Sequence, residues 1–175
     1  NMGFLYALRD GAEVIATVDD DNIPYDGYWA SPLFYLSDPI FELSVDYYQT
    51  RAKVFDPLSV GEHTNLWHRG YPLQILKDKN NTQFFKSEEN VRPHVIAALW
   101  DGDPDVDAIG RMEHGPDVTF NAGTTYYQSS KISPFNSQNT FIQRECFKNY
   151  FLFPHIGRMD DIWASYYLQE AQNTC

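Results

Sequence analysis

Carboxylates gather at three places in the chain, each after an apolar or turn-like stretch: Asp19-Asp20-Asp21, the run WDGDPDVD over 100–107, and Asp160-Asp161. The first is the sharpest. A short apolar run, Val14–Val18, stops at the aspartate triplet within EVIATVDDDNIP (13–24). Adjacent carboxylates repel one another, so a positive partner is expected there. A hard divalent cation takes oxygen ligands and completes its shell with water or a substrate's phosphates. The chemistry this suggests is a metal–diphosphate site. The competing reading is a solvated turn, which Asp and Asn favour in any case.

Asp160 and Asp161 open a segment with apolar residues at Ile162, Trp163, Tyr166, Tyr167 and Ala171, a helical spacing. At a helix start the unpaired N–H groups and the dipole keep a carboxylate ionised. One acid there suffices as a cap. The second is free to serve as a general base, so Asp160 is expected to cap and Asp161 to reach the pocket. Arg69, Arg111 and Arg158 each adjoin a glycine (HRGY, IGRM, IGRM). Such arginines can grip a diphosphate bidentately or form surface ion pairs; both readings stay open. The histidines show no zinc spacing; His155, just ahead of the Asp160 helix, is retained as a further candidate metal ligand. Trp67, Trp100 and Trp163 suit a core, although a sugar ring commonly rests on such a face.

The elements that must hold these groups follow from pattern. Asn1–Arg9 reads as a helix stopped by Gly11. Val14–Val18 reads as a fully buried strand of a parallel sheet, with its ligand beyond the carboxyl end. Residues 23–44 predict irregular structure packed by aromatics. Short strands are expected at 45–48 and 52–55, and a loop over 57–73. Residues 78–90 read as an exposed polar excursion containing the glycosylation acceptor pattern Asn80-Asn81-Thr82. A second apolar run covers 95–99, 118–127 reads as extended, and 133–138 as a polar loop before 140–142. The chain opens inside a helix, so a preceding strand or strands of the domain are expected to be missing from this sequence.

Composition narrows the classes. The chain has 175 residues, 43% of them hydrophobic, enough for one domain with a real core over 1–175. A net charge of −11 argues against a nucleic-acid polymer or an anionic lipid surface as partner. No run reaches the roughly 18 apolar residues of a membrane-crossing helix. Cys146 and Cys175 form neither a disulfide framework nor a metal spacing and read as a buried thiol and a terminal residue. GxSxG and GxxxxGK[ST] are both absent.

Taken in order, the segments IATVDDDNIP (15–24), VFDPLSVG (54–61), HRGYPLQI (68–75), ALWDGDPDVDA (98–108), SPFNSQNTFI (133–142) and IGRMDDIWASYYL (156–168) resemble nucleotide-sugar glycosyltransferases of the GT-A fold. More narrowly, they resemble the plant reversibly glycosylated polypeptides (UDP-arabinopyranose mutases) and the related STELLO-type proteins. The resemblance implies an α/β, GT-A-like, Rossmann-related mixed sheet flanked by helices. It implies transfer of a sugar from a nucleoside-diphosphate sugar, a UDP-sugar in that family, to a hydroxyl acceptor, with Mn2+ or Mg2+ as cofactor. Asp19 and Asp21 match the metal positions, with Asp20 between them. Asp160 and Asp161 match the acidic pair that supplies the base, Asp161 being the expected one. Arg69 matches the arginine that becomes reversibly glycosylated; the second arginine of that motif is absent, and Leu76 followed by Lys77 stands there. Arg111 and Arg158 are candidates for the diphosphate, and Asp107, Asn139 and Trp163 for the sugar. The alternatives are a UDP-sugar mutase carrying its sugar on Arg69, and a non-catalytic carbohydrate-binding or partner subunit. Oligomeric state and compartment, Golgi lumen or cytosolic face, are left open.

Overall fold

The computed structural model describes residues 1–38, 40–79, 82–120 and 125–173. Its helices are α1 (Met2–Arg9), α2 (Ala30–Ser37), α3 (Leu76–Lys79), α4 (Ala108–His114) and α5 (Asp160–Asn173). Its strands are β1 (Val14–Val18), β2 (Leu43–Thr50), β3 (Phe84–Val91), β4 (Val95–Ala97), β5 (Tyr127–Ser129) and β6 (Asn139–Gln143). Short 3-10 turns lie at Pro57–Ser59, Leu73–Ile75 and Arg144–Asn149. The architecture is α/β, and the chain divides into two compact units interleaved in sequence. The first holds Asn1–Leu43, Asn90–Ala98 and Asn136–Cys175; the second holds Ser44–Glu89 and Leu99–Phe135. No helix among the described residues is long and apolar enough to cross a membrane.

The first unit is built on an antiparallel sheet in the order β1-β6-β4. Val14 faces Gln143 and Val18 faces Asn139, while Ile96 faces Phe141 from the other side. β6 is therefore the middle strand, and Thr140, Phe141 and Ile142 are completely buried. This corrects the expectation for Val14–Val18. Among the described residues it is an outer strand of this sheet, as β4 is on the other side, and it runs antiparallel, with Ile15 buried and Ala16 exposed. An apolar run does not by itself say on which edge it will pair. α2 packs on β6 and β1 through its buried Pro32 and Leu36, four residues apart. Its presence within 23–44 also departs from the irregular structure expected there. Pro32 lies in the first turn, where its missing N–H goes unnoticed, and burial of one face outweighs a poor local propensity.

α1 ends as its sequence predicts, with Gly11 at φ 89° just beyond Asp10. It buries no residue fully, yet it is held at three points. Asn1 exchanges two 2.8 Å hydrogen bonds with the backbone of Leu152. The ring of Phe4 packs against Phe147 and Tyr150. Arg144 donates from Nη1 to the Ala12 carbonyl (3.0 Å) and from Nη2 to the Leu8 carbonyl (2.9 Å). A cation at the carbonyl end of a helix is favoured by the dipole as well.

The second unit carries a sheet in the order β3-β2-β5, with β2 and β5 parallel. Tyr48 of β2 lies against Phe55, Phe84 and Tyr127. Leu58, Leu66 and Val106 form a second apolar centre with Leu99, Val118 and Phe120 around them. Much of the 78–90 stretch expected as an exposed excursion falls in β3, which is indeed mostly exposed. Its charges answer those of β2: Lys86 pairs with Asp46 at 2.7 Å, and Ser44 donates to Glu88 at 3.1 Å. Residues 52–55 contribute only an isolated bridge, Val54 to Ile132; of the described part of the extended stretch expected over 118–127, Val118 bridges Gly102 and Tyr127 opens β5. The middle of that stretch, like Asn80 and Asn81 of the acceptor pattern and Cys175, lies outside the described residues.

Removing the Arg144 guanidinium should cost roughly 1–3 kcal/mol, because it leaves two carbonyls without their charged donor. In Arg144→Ala, amide exchange in α1 should speed up more than in α5, and Arg144→Lys should recover less than half of the loss, since a lysine cannot fork to two carbonyls. Equal protection of α1 in wild type and Arg144→Ala would show that the helix is held by its other contacts.

Candidate functional site

In the first unit, β1 delivers the aspartate triplet to the start of β6. The ladder runs one residue past the strand: Asp19 N–H donates to the Gln138 carbonyl at 3.0 Å. Asn22 turns back on the same carbonyl through Nδ2 at 2.9 Å, and its own N–H reaches the Asp19 carbonyl at 3.2 Å. The side chains join as well. Gln138 Nε2 donates to Asp19 Oδ2 at 2.7 Å, and Asp19 Oδ1 takes no hydrogen bond from a described residue. Asp19 is half-buried, whereas Asp20 and Asp21 are exposed.

The residue before Gln138 reaches the other acidic centre. Ser137 N–H donates to Asp161 Oδ2 at 3.2 Å. Asp161 is 5% exposed, and its Oδ1 accepts from Ile162 N–H at 2.8 Å. Asp160 is less buried; its Oδ1 accepts from Asp161 N–H at 3.0 Å and its Oδ2 takes no hydrogen bond from a described residue. Both acids thus support the start of α5, and of the two it is Asp160 that keeps an oxygen unengaged. The turn leading in places His155 at φ 68° and Gly157 at φ 74°, and Asp160 N–H closes it on the Gly157 carbonyl at 3.2 Å. His155 and Arg158 are exposed on this turn. Trp163, 56% exposed, lies with Tyr167 on the outer face of α5, edge-on to Phe153, while Asp161, Ile162, Ser165 and Leu168 are buried. Asn139 opens β6 opposite Val18, with the Tyr28 hydroxyl 3.5 Å from its Oδ1.

Neither the triplet nor the α5 pair announces the loop that joins them. Asn136 is 3% exposed, its Oδ1 accepts from Gln138 N–H at 3.0 Å, and its carbonyl accepts from Thr140 Oγ1 at 2.6 Å. In sequence, Asn136-Ser137-Gln138 looks like any polar loop. The available signal is its position between the buried Pro134-Phe135 and a buried strand, where polar groups need internal partners.

The remaining candidates lie in the second unit, each with a partner there. Arg69 Nε is 2.7 Å from both oxygens of the buried Asp105, and its backbone N–H donates to the Asp105 carbonyl. Arg111 pairs with Asp103. Asp107 caps α4 by accepting from Ile109 N–H at 2.9 Å, and Asp101 accepts from Phe120 N–H at 2.8 Å. Every aspartate of the 100–107 run therefore holds a backbone or side-chain donor. The same unit holds a buried pair that its sequence does not announce. Asp56, 1% exposed, accepts from Leu58 N–H (3.1 Å) and His68 N–H (3.4 Å) through Oδ1. Its Oδ2 has no hydrogen bond and lies 3.8 Å from Lys79 Nζ, which donates to the Thr64 carbonyl at 2.7 Å. The signal was the Asp-Pro step, a common way to open a helical turn. Burial pushes the Asp56 carboxyl up to about 6, against the pull of Lys79 and the two N–H groups, and burial pushes Lys79 down. Cys146 is buried, as expected; burial pushes its thiol up to about 11.

Among the described residues no three His, Cys, Asp or Glu side chains converge as a metal cage. A cation carried with a diphosphate needs less, since it is commonly held by one or two carboxylates plus phosphate oxygens and water. The hard-oxygen donors of the triplet fit that chemistry, with Asp19 Oδ1 unengaged and Asp20 and Asp21 open to solvent. Compared with known proteins, the chain matches no family model and no curated sequence.

The Asp56 shift sets a pH dependence with a definite sign. A carboxyl harder to ionise in the fold than in the unfolded chain favours the fold when protonated. That contribution is complete below the ordinary carboxylate range and is lost as pH rises to about 6. Relative to Asp56→Asn, the wild-type protein should therefore lose on the order of 1–3 kcal/mol of unfolding free energy between pH 4 and pH 7, read by urea denaturation. A constant difference across that range would mean that the carboxyl titrates normally.

Proposed function

We propose that the chain is the catalytic part of a metal-dependent glycosyltransferase of GT-A type, moving a sugar from a UDP-sugar to a hydroxyl acceptor. The observation that carries this reading is the loop at 136–138. Two consecutive residues, Ser137 and Gln138, hold the carboxylates of Asp161 and Asp19, so the acidic triplet and the acidic helix start belong to one locality of one unit. A transferase of this kind needs those two functions side by side: a cation site for the leaving diphosphate and a base for the acceptor.

In this reading Asp19 and Asp21 hold the cation through hard oxygens. A bound Mn2+ or Mg2+ supplies the Lewis acidity that neutralises charge on the departing diphosphate. Asp160 takes the proton from the acceptor hydroxyl through its unengaged Oδ2. Asp161, with both oxygens on backbone N–H groups, fixes the helix start on which Asp160 stands. Arg158, exposed just before the pair, is a candidate for the diphosphate, and the outward indole of Trp163 is one for a sugar ring.

Titrating UDP into the protein should give manganese-dependent heat that is lost in Asp19→Asn/Asp21→Asn; absence of binding with the fold intact by circular dichroism would remove the UDP-sugar reading. Once a donor is found, the α5 acids should separate. Asp160→Asn should lower kcat about 10²–10⁴-fold with an unchanged melting temperature. Asp161→Asn should instead lower the melting temperature, at a cost of about 1–2 kcal/mol for a lost helix-start acceptor. A large kcat loss at full stability in Asp161→Asn would exchange the two roles.

A further inference from the structure

We infer that Gln138 is a positioning residue for the acidic triplet, aiming Asp19 so that one carboxylate oxygen is engaged and the other faces a cation; this rests on the metal reading above. Gln138 meets Asp19 twice. Its carbonyl accepts from Asp19 N–H, which fixes the backbone at 3.0 Å, and its Nε2 donates to Asp19 Oδ2 at 2.7 Å, which fixes the rotation of the carboxylate. A carboxylate at the end of an outer strand, on a flexible single-carbon stem, would otherwise turn freely. With Oδ2 held, Oδ1 takes no hydrogen bond and keeps its lone pairs for a cation.

Gln138 is itself held from behind. Its N–H donates to the Oδ1 of the buried Asn136 at 3.0 Å, and its carbonyl also accepts from Asn22 Nδ2 at 2.9 Å. Its Oε1 is sealed from solvent and has no hydrogen-bond partner among the described residues. An oxygen left in that state is costly to the fold. A side chain kept only to staple the loop would not need it: a shorter donor or an apolar filler of the same length avoids the cost. The amide is kept because its Nε2 has a task at Asp19. The orientation also follows from charge, since turning the amide over would set Oε1 against the Asp19 carboxylate.

The test uses manganese chloride as the probe, titrated into the full chain, with melting temperature recorded alongside. Gln138→Met keeps length and removes the donor; Gln138→Ala, which adds no bulk, replaces it if Gln138→Met melts more than about 5 °C lower. The expected result is a Kd for Mn2+ raised tenfold or more at nearly unchanged melting temperature, with the same loss in manganese-dependent UDP binding. Unchanged Mn2+ affinity in a stable variant overturns the positioning role and leaves the metal reading standing. A wild-type protein that binds neither Mn2+ nor Mn2+ with UDP overturns both.

Discussion

β6 has neighbours on both edges, and the first unit is organised by that fact. A middle strand can bury every backbone group only if both partners are in register, and here Phe141 faces Ala16 on one side and Ile96 on the other. Shifting β1 by one residue would exchange its two faces, moving the buried Ile15 to the side where Ala16 is exposed. The same register sets Asn139 opposite Val18, and hence Asp19 beside Gln138. The geometry of the acidic site is thus inherited from the sheet: the strand that fills the core also fixes where the triplet meets the loop ahead of it.

The second unit solves a different problem. Beside its two apolar centres it carries buried and half-buried charged pairs: Asp56 with Lys79, and Arg69 with Asp105. Such pairs are rarely a net gain over apolar residues of the same volume, but breaking one is costly because it strands the other charge. They fix which loop lies against which. Asp56 ties the Pro57 turn to His68, Arg69 ties the next residues to the 100–107 loop, and Asp107 opens α4, whose Gly110 sits close against the Trp67 ring, where an added Cβ would come within 3.3 Å.

Legibility in the sequence divides along the same line. Helices α1 and α5 were readable, one from its terminating glycine and one from a long helical spacing with acids at its start. The neighbourhood of the triplet and the α5 pair was expected, but the means was not, because Gln138 and Ser137 act through partners more than a hundred residues away (Asp19) or on another element (Asp161). Strand identity was misread where local character ran against tertiary covering. Val14–Val18 looks central and is outer; β3 looks like a polar loop and is a strand, because charges suit an edge that must not pair further. The α2 helix hid behind proline and aromatics. Among the sequence motifs, the letters around Asp56, Arg69 and Asp107 mark a hydrogen-bonded framework within the second unit, a use that composition alone does not separate from ligand binding.

The interleaving of the two units bears on how the chain is made. Val14 pairs with Gln143, and the strand that completes the first sheet is specified after the whole of the second unit. During synthesis from the N-terminus β1 emerges before its partner β6, and all of the second unit, Ser44–Glu89 and Leu99–Phe135, emerges between them. Contacts this distant in sequence are slow to close. The first sheet therefore cannot close until β6 has been made, and until then β1 lacks its antiparallel partner.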